Sequence, residues 1–223
     1  MDEIDLIMDD LMDEKKTNSR HFEIAQDPWF WCNSAHRLAA GAESIIQQQA
    51  PQEALYNAAL TRTEDQLANL AAASPGESVG MYIQEDTPNF LPAALLYAFA
   101  LENVLKGLMV GRNLVAPSPR KVPKDLRSHD VLALARRVGE SLTPDEERVL
   151  QQLSHIGEWA GRYPVAASVD RLQKAGGWSS DVSRIDRQQL DIARDVFGRL
   201  VKQLETIGGK SARHRTGTMI RVG

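Results

Sequence analysis

The sequence predicts an all-α protein, an antiparallel helical bundle of four to five core helices plus an extra N-terminal helix. Three observations carry this expectation. Apolar residues recur at spacings of three and four through most of the chain, the pattern of a helix with one buried face. No stretch shows the strict alternation of a half-buried strand. Helix-start signals, chiefly Asp27-Pro28 and Thr143-Pro144-Asp145-Glu146, stand ahead of the apolar runs, where a capping oxygen and a first-turn proline belong.

Residues 2–16 alternate acids with Ile4, Ile7, Met8, Leu11 and Met12, which suits a short acidic amphipathic helix or an arm that becomes helical on a partner. With the linker to residue 26 they form an N-terminal arm, 1–26. The bundle proper is expected over 27–207. Trp29, Phe30, Cys32, Leu38, Ile45 and Ile46 support a helix to about Gln49, and Pro51 is expected to interrupt or restart it. An alanine-rich helix then runs to about Ala73, and Ser74-Pro-Gly is a turn. Val79 to Pro88 reads as a loop or a short extended piece.

A central helix follows from about Asn89 to Arg112. Its core, Leu91 to Val110, is apolar on nearly every side yet contains Glu102 and Lys106. Its length approaches that of a membrane span. A lipid-facing span would resist that charged pair, so the expectation is a buried helix of a cytoplasmic protein, with no membrane partner. Glu102 and Lys106 are four apart, with the acid first, and meet on one face. They form either a structural ion pair or a pair that orients a site.

Pro117, Pro119 and Pro123 mark a loop that also carries Arg112, Arg120, Lys121, Lys124 and Arg127. Ser128 to Val138 is predicted helical, with Ser128 as cap and Asp130 in the first turn. Thr143 opens a helix expected to reach about Gly161, its core face formed by Val149, Leu153, Ile156, Ala160 and Tyr163. Opposite them Arg148, His155 and Arg162 recur every seven residues and are expected to line up. Gln152 and Trp159 flank that line. Guanidinium forks bind phosphate oxygens, and a histidine moves protons near neutral pH. The line therefore reads as a phosphate-binding ridge, or as a polar outer face carrying one aromatic. Ile185 to Ile207 is the last helix. The tail 208–223 is basic through Lys210, Arg213, Arg215 and Arg221.

Composition narrows the function classes. The net charge of −4 does not suit bulk nucleic-acid binding, so phosphate would need a local patch. One cysteine, Cys32, excludes a disulfide framework and a multi-cysteine metal site; it is expected to be buried and inert. The histidines lack metal-ligand spacing, so neither a metal nor a cofactor is expected. No glycine-rich phosphate loop occurs. Ser128-His129-Asp130 matches a catalytic triad by letters only, because chain neighbours cannot meet as Ser, His and Asp do from separate places.

Ala98-Phe-Ala-Leu101-Glu102-Asn-Val-Leu105-Lys106-Gly107-Leu108, Ser128-His129-Asp130-Val-Leu-Ala-Leu134 and Arg162-Tyr163-Pro164 together resemble the HEPN domain family. The likeness spans roughly 27–207, with its recognisable motifs within 90–164. It implies a helical bundle, commonly a homodimer, found in toxin–antitoxin and phage-defence systems and in nucleotide-related modules. Ribonuclease members share an Arg and a His a few residues apart and cut RNA without metal, by attack of the 2′-hydroxyl. On this resemblance His155 would be the general acid/base, with Arg148 and Arg162 holding the phosphate. Glu102 and Lys106 would orient them, and Trp159, Gln152, Arg120, Lys121 and Lys124 would form the binding surface. Val149 stands where the family usually has a polar residue. Other members are non-catalytic binding modules, which leaves dimerisation or partner binding, through 2–16 or 209–223, as the alternative.

Overall fold

The computed structural model describes residues 26–74, 80–83, 85–116, 121–160 and 184–208, with the backbone alone at Trp159 and Ala160. The acidic arm, the basic tail, Arg120, Arg162, Tyr163 and the side chain of Trp159 lie outside the described residues.

The described residues form an all-α bundle of five helices: α1 (Pro28–Ala73), α2 (Leu91–Gly111), α3 (Val131–Arg137), α4 (Pro144–His155) and α5 (Arg187–Gly208). A 3-10 turn, Lys124–Arg127, leads into α3, and α4 passes directly into a π-helical turn, Ile156–Ala160. The apolar α2 is the axis. It packs along α1 and against α5, α3 and α4. Leu101, Leu105 and Leu108 on it are fully buried, each contributing about 1.5–3 kcal/mol.

The caps follow from the sequence. Asp27 accepts a hydrogen bond from Trp29 N at 2.9 Å, with Pro28 in the first turn. Thr143 and Glu146 form a reciprocal capping box, each side chain bonding the other's backbone amide at 3.3 and 2.8 Å. Asp130, not Ser128, caps α3, accepting from Ala133 N at 2.9 Å.

Two further expectations are corrected. Pro51 does not interrupt α1, which is one helix of 46 residues. Proline deprives the carbonyl four residues earlier of its amide donor. That carbonyl belongs to Gln47, which is exposed like Pro51, so water can serve it. The second correction concerns α4, whose α-helical part stops at His155. The last turn, Ile156–Ala160, is the wider π form.

Small residues set the spacing between helices. Ala35, Ala39, Ala42 and Ile46 make the buried seam of α1. On α2, a Cβ built at Gly107 would lie 2.7 Å from Leu204 and 2.9 Å from Trp31 Cβ, and one at Gly111 would lie 2.8 Å from Ile207. Glycine at these two places lets the start of α1 and the end of α5 close onto the same end of α2.

Candidate functional site

The bundle gathers a polar cluster where α2, the approach to α3 and the end of α4 meet. Its base is Glu102 with Lys106. Lys106 Nζ donates to Glu102 Oε1 at 2.6 Å, and the side chains are only 5% and 12% exposed for Lys106 and Glu102. Two opposite charges a helical turn apart lose their water together and neutralise one another.

Lys106 serves one carboxylate oxygen and leaves the other. Glu102 Oε2 lies 3.0 Å from His129 Nδ1. An ionised carboxylate can only accept, so Nδ1 carries the hydrogen and donates it. In its neutral form the ring then presents Nε2 as an acceptor. The His129 side chain is 53% exposed, so the imidazole rests on a buried acid and faces solvent. This is the arrangement of a base oriented by a carboxylate.

Asp130 and Ser154 hold this corner in place. Ser154 Oγ donates to Leu150 O at 2.8 Å, accepts from Leu132 N at 3.3 Å and lies 3.3 Å from Asp130 Oδ1. Ser154 is buried, which fixes the height of α4 against the start of α3. A Cβ built at Gly157 in the π turn would lie 3.4 Å from Ala98 Cβ, one turn before Glu102 on α2.

Of the expected ridge, Arg162 lies outside the described residues, and Arg148 and His155 differ in their surroundings. Arg148 is 72% exposed and pairs with Asp145 at 2.8 Å. His155 is half-buried, and its Nε2 is enclosed without a hydrogen-bond partner among the described residues. Burial holds its pKa below the usual 6.5, against the opposing charges of Glu158 and Asp130. The reason is position. Arg148 sits in the solvated first half of α4, whereas His155 sits where the helix widens into the π turn and packs on the core. Gln152, half-buried, donates to Arg184 O at 2.5 Å and accepts from Gln189 Nε2 at 2.8 Å, tying α4 to the approach to α5. Lys121 and Lys124 are exposed, as is Arg127, and all three precede His129 on one short segment.

His129 is the residue sequence reasoning set aside. The signal was present in Glu102. A buried carboxylate has two oxygens, one lysine serves one of them, and the second needs a donor from elsewhere. Cys32 is half-buried, and its thiol pKa is pushed up by burial and, after that, by the charge of Glu205.

A second polar network lies on the α1–α2–α5 side. Tyr97, almost fully buried on α2, donates to Glu43, and Arg194 grips both oxygens of Glu43 at 2.7 and 2.9 Å. An open groove of about 700 Å³ is lined by Glu53, Tyr56, Asn89, Phe90, Arg184 and Arg187 among others, but by none of Glu102, His129 and His155. Comparison with protein-family models, with curated proteins and with solved structures finds no match to this chain.

Proposed function

We propose that this is a HEPN-like helical protein that acts on RNA or nucleotides as a metal-independent endoribonuclease, with His129 moving the proton. The observation that carries the reading is the 3.0 Å contact between exposed His129 and buried Glu102. In the proposed reaction His129 Nε2 takes the proton of a ribose 2′-hydroxyl. The freed oxygen bonds to the adjacent phosphorus and the phosphorus–5′-oxygen bond breaks. The departing oxygen takes a proton from water, leaving a cyclic phosphate and a 5′-hydroxyl. Glu102 holds the ring and stabilises its protonated form, as a positioning residue. Lys121, Lys124 and Arg127 supply positive charge on the segment that leads to His129. In this reading His129 takes the role expected of His155, and Arg148 lies outside the reacting group.

A homodimer or partner-binding module is the second reading. It is favoured by the far half of α1, where Leu55 and Leu70 are 56% and 44% exposed on a helix that carries few buried residues beyond Ile46. The test of the first reading is incubation with single-stranded and structured RNA in excess chelator, followed by analysis of the product ends. Cyclic phosphate and 5′-hydroxyl ends support it. Intact RNA together with a sedimentation mass of two chains or more overturns it in favour of the second.

A further inference from the structure

We propose a divalent-metal site, suited to Zn²⁺, formed by Cys32 and His36 of α1 with Glu205 of α5. Cys32 Sγ, an imidazole nitrogen of His36 and a carboxylate oxygen of Glu205 all lie within 4.8 Å of one another. His36 Nε2 is 3.5 Å from Glu205 Oε1. The site is independent of the Glu102–His129 pair, and it is written in the geometry of one helix end meeting another.

Cys32 and His36 are four apart, so they project from one face of α1, one turn above the other. Glu205 reaches them from α5 because Gly107 and Gly111 draw the start of α1 and the end of α5 onto the same end of α2. Trp31 and Leu204, the chain neighbours of Cys32 and Glu205, are the very residues that crowd Gly107. The rigid backbone thus fixes where the three donors meet. The His36 ring also stands edge-on to Phe197, centroids 6.0 Å apart.

A tetrahedral zinc with bonds of about 2.0–2.3 Å keeps its donors roughly 3.5 Å apart. Closing from 4.8 Å takes only rotation of His36 and Glu205, whose side chains are 50% and 56% exposed. Thiolate, imidazole and carboxylate are the donors that borderline-soft Zn²⁺ accepts. The charges balance: the thiol proton passes to solvent on binding, and thiolate plus carboxylate neutralise the dication. Three protein ligands leave a fourth position for water or another donor. Bound metal would clamp α1 to α5.

The test is titration of the full chain, free of purification tags, with Co²⁺ as a spectroscopic stand-in and Zn²⁺ as competitor. The expected result is one equivalent bound, a thiolate-to-cobalt charge-transfer band, and a rise in melting temperature on adding Zn²⁺. Cys32→Ala abolishes the band, and His36→Ala and Glu205→Gln each weaken binding by about tenfold or more. Cys32 is half-buried and His36 and Glu205 are exposed, so these small substitutions are expected to leave the circular dichroism of the metal-free protein unaltered. Absence of the band at saturating Co²⁺ overturns the site, and so does binding undiminished in Cys32→Ala. RNA cleavage in excess chelator is expected to persist, so failure of this site and failure of the His129 reading are separable.

Discussion

Glu102 and His129 stand 27 residues apart in sequence and 3.0 Å apart in space. The contact joins the most buried helix of the bundle to a histidine that half faces water. Lys106 completes the relationship from inside. It takes one carboxylate oxygen and leaves the other for the imidazole. The same few atoms therefore decide both how α2 keeps a charge in the core and how a proton-carrying ring is held at the surface.

Removing the inner partner tests the first half of that statement. Lys106→Ala leaves Glu102 buried beside an imidazole alone, and is expected to cost about 3–5 kcal/mol of stability. Lys106→Met combined with Glu102→Gln replaces the charged pair by groups of similar size and recovers most of the loss. Urea denaturation of the three proteins measures it. A loss under about 1 kcal/mol for Lys106→Ala would mean that the pair is solvated in solution.

Glycine substitutions read the helix spacing. Gly107→Ala drives a methyl to 2.7 Å from Leu204 and 2.9 Å from Trp31 Cβ, and is expected to destabilise by about 1–3 kcal/mol. Gly198 lies within α5 and a Cβ there meets nothing within 4 Å. Gly198→Ala is expected to stabilise by about 0.5–1 kcal/mol through helix propensity. Opposite signs in thermal or urea unfolding support the packing; equal signs refute it.

The depressed His155 pKa sets a pH window. The unfolded chain binds a proton near the ordinary value of 6.5, which the folded chain resists because of burial. Stability conferred by the neutral ring is therefore complete above that value and is lost as pH falls from it toward the lowered folded pKa. His155→Gln is expected to flatten this part of the stability-versus-pH curve. An unchanged slope between wild type and variant would show that His155 titrates freely.

A separate acid limb belongs to Glu43. Burial opposes its charge, but hydrogen bonds from Arg194 and Tyr97 and the Arg194 charge outweigh it and hold the pKa below 4.5. Its stability is present above 4.5 and lost as pH falls through the lowered folded value. Arg194→Gln is expected to bring acid unfolding on at a higher pH, whereas Tyr97→Phe has a smaller effect. Circular dichroism followed down the acid range distinguishes these outcomes.

Much of the architecture was legible because it depends on local signals. Thr143 and Glu146 announced the start of α4, and the apolar run around Leu101 announced a helix surrounded by others. Pro51 misled because the cost of proline depends on whether water reaches the orphaned carbonyl, and Gln47 is exposed. The π turn after His155 left no comparable mark. It packs against α2, a contact between segments distant in sequence. The site was half legible for the same reason. Glu102 and Lys106 were readable as a pair from their spacing of four. Their third partner lay beyond two loops, and His129 among helix-start residues looked like part of a cap. Arg148 and His155 shared a line on an ideal wheel, but a wheel does not show that one end of a helix is solvated while the other is packed.

The proposal that His129 carries the proton stands or falls on single-turnover cleavage of RNA by His129→Ala and His155→Ala, each compared with wild type in chelator at pH 7. His129→Ala is expected to slow cleavage by about 10²–10⁴-fold, while His155→Ala stays within about tenfold of wild type. Full activity in His129→Ala, or loss confined to His155→Ala, refutes it.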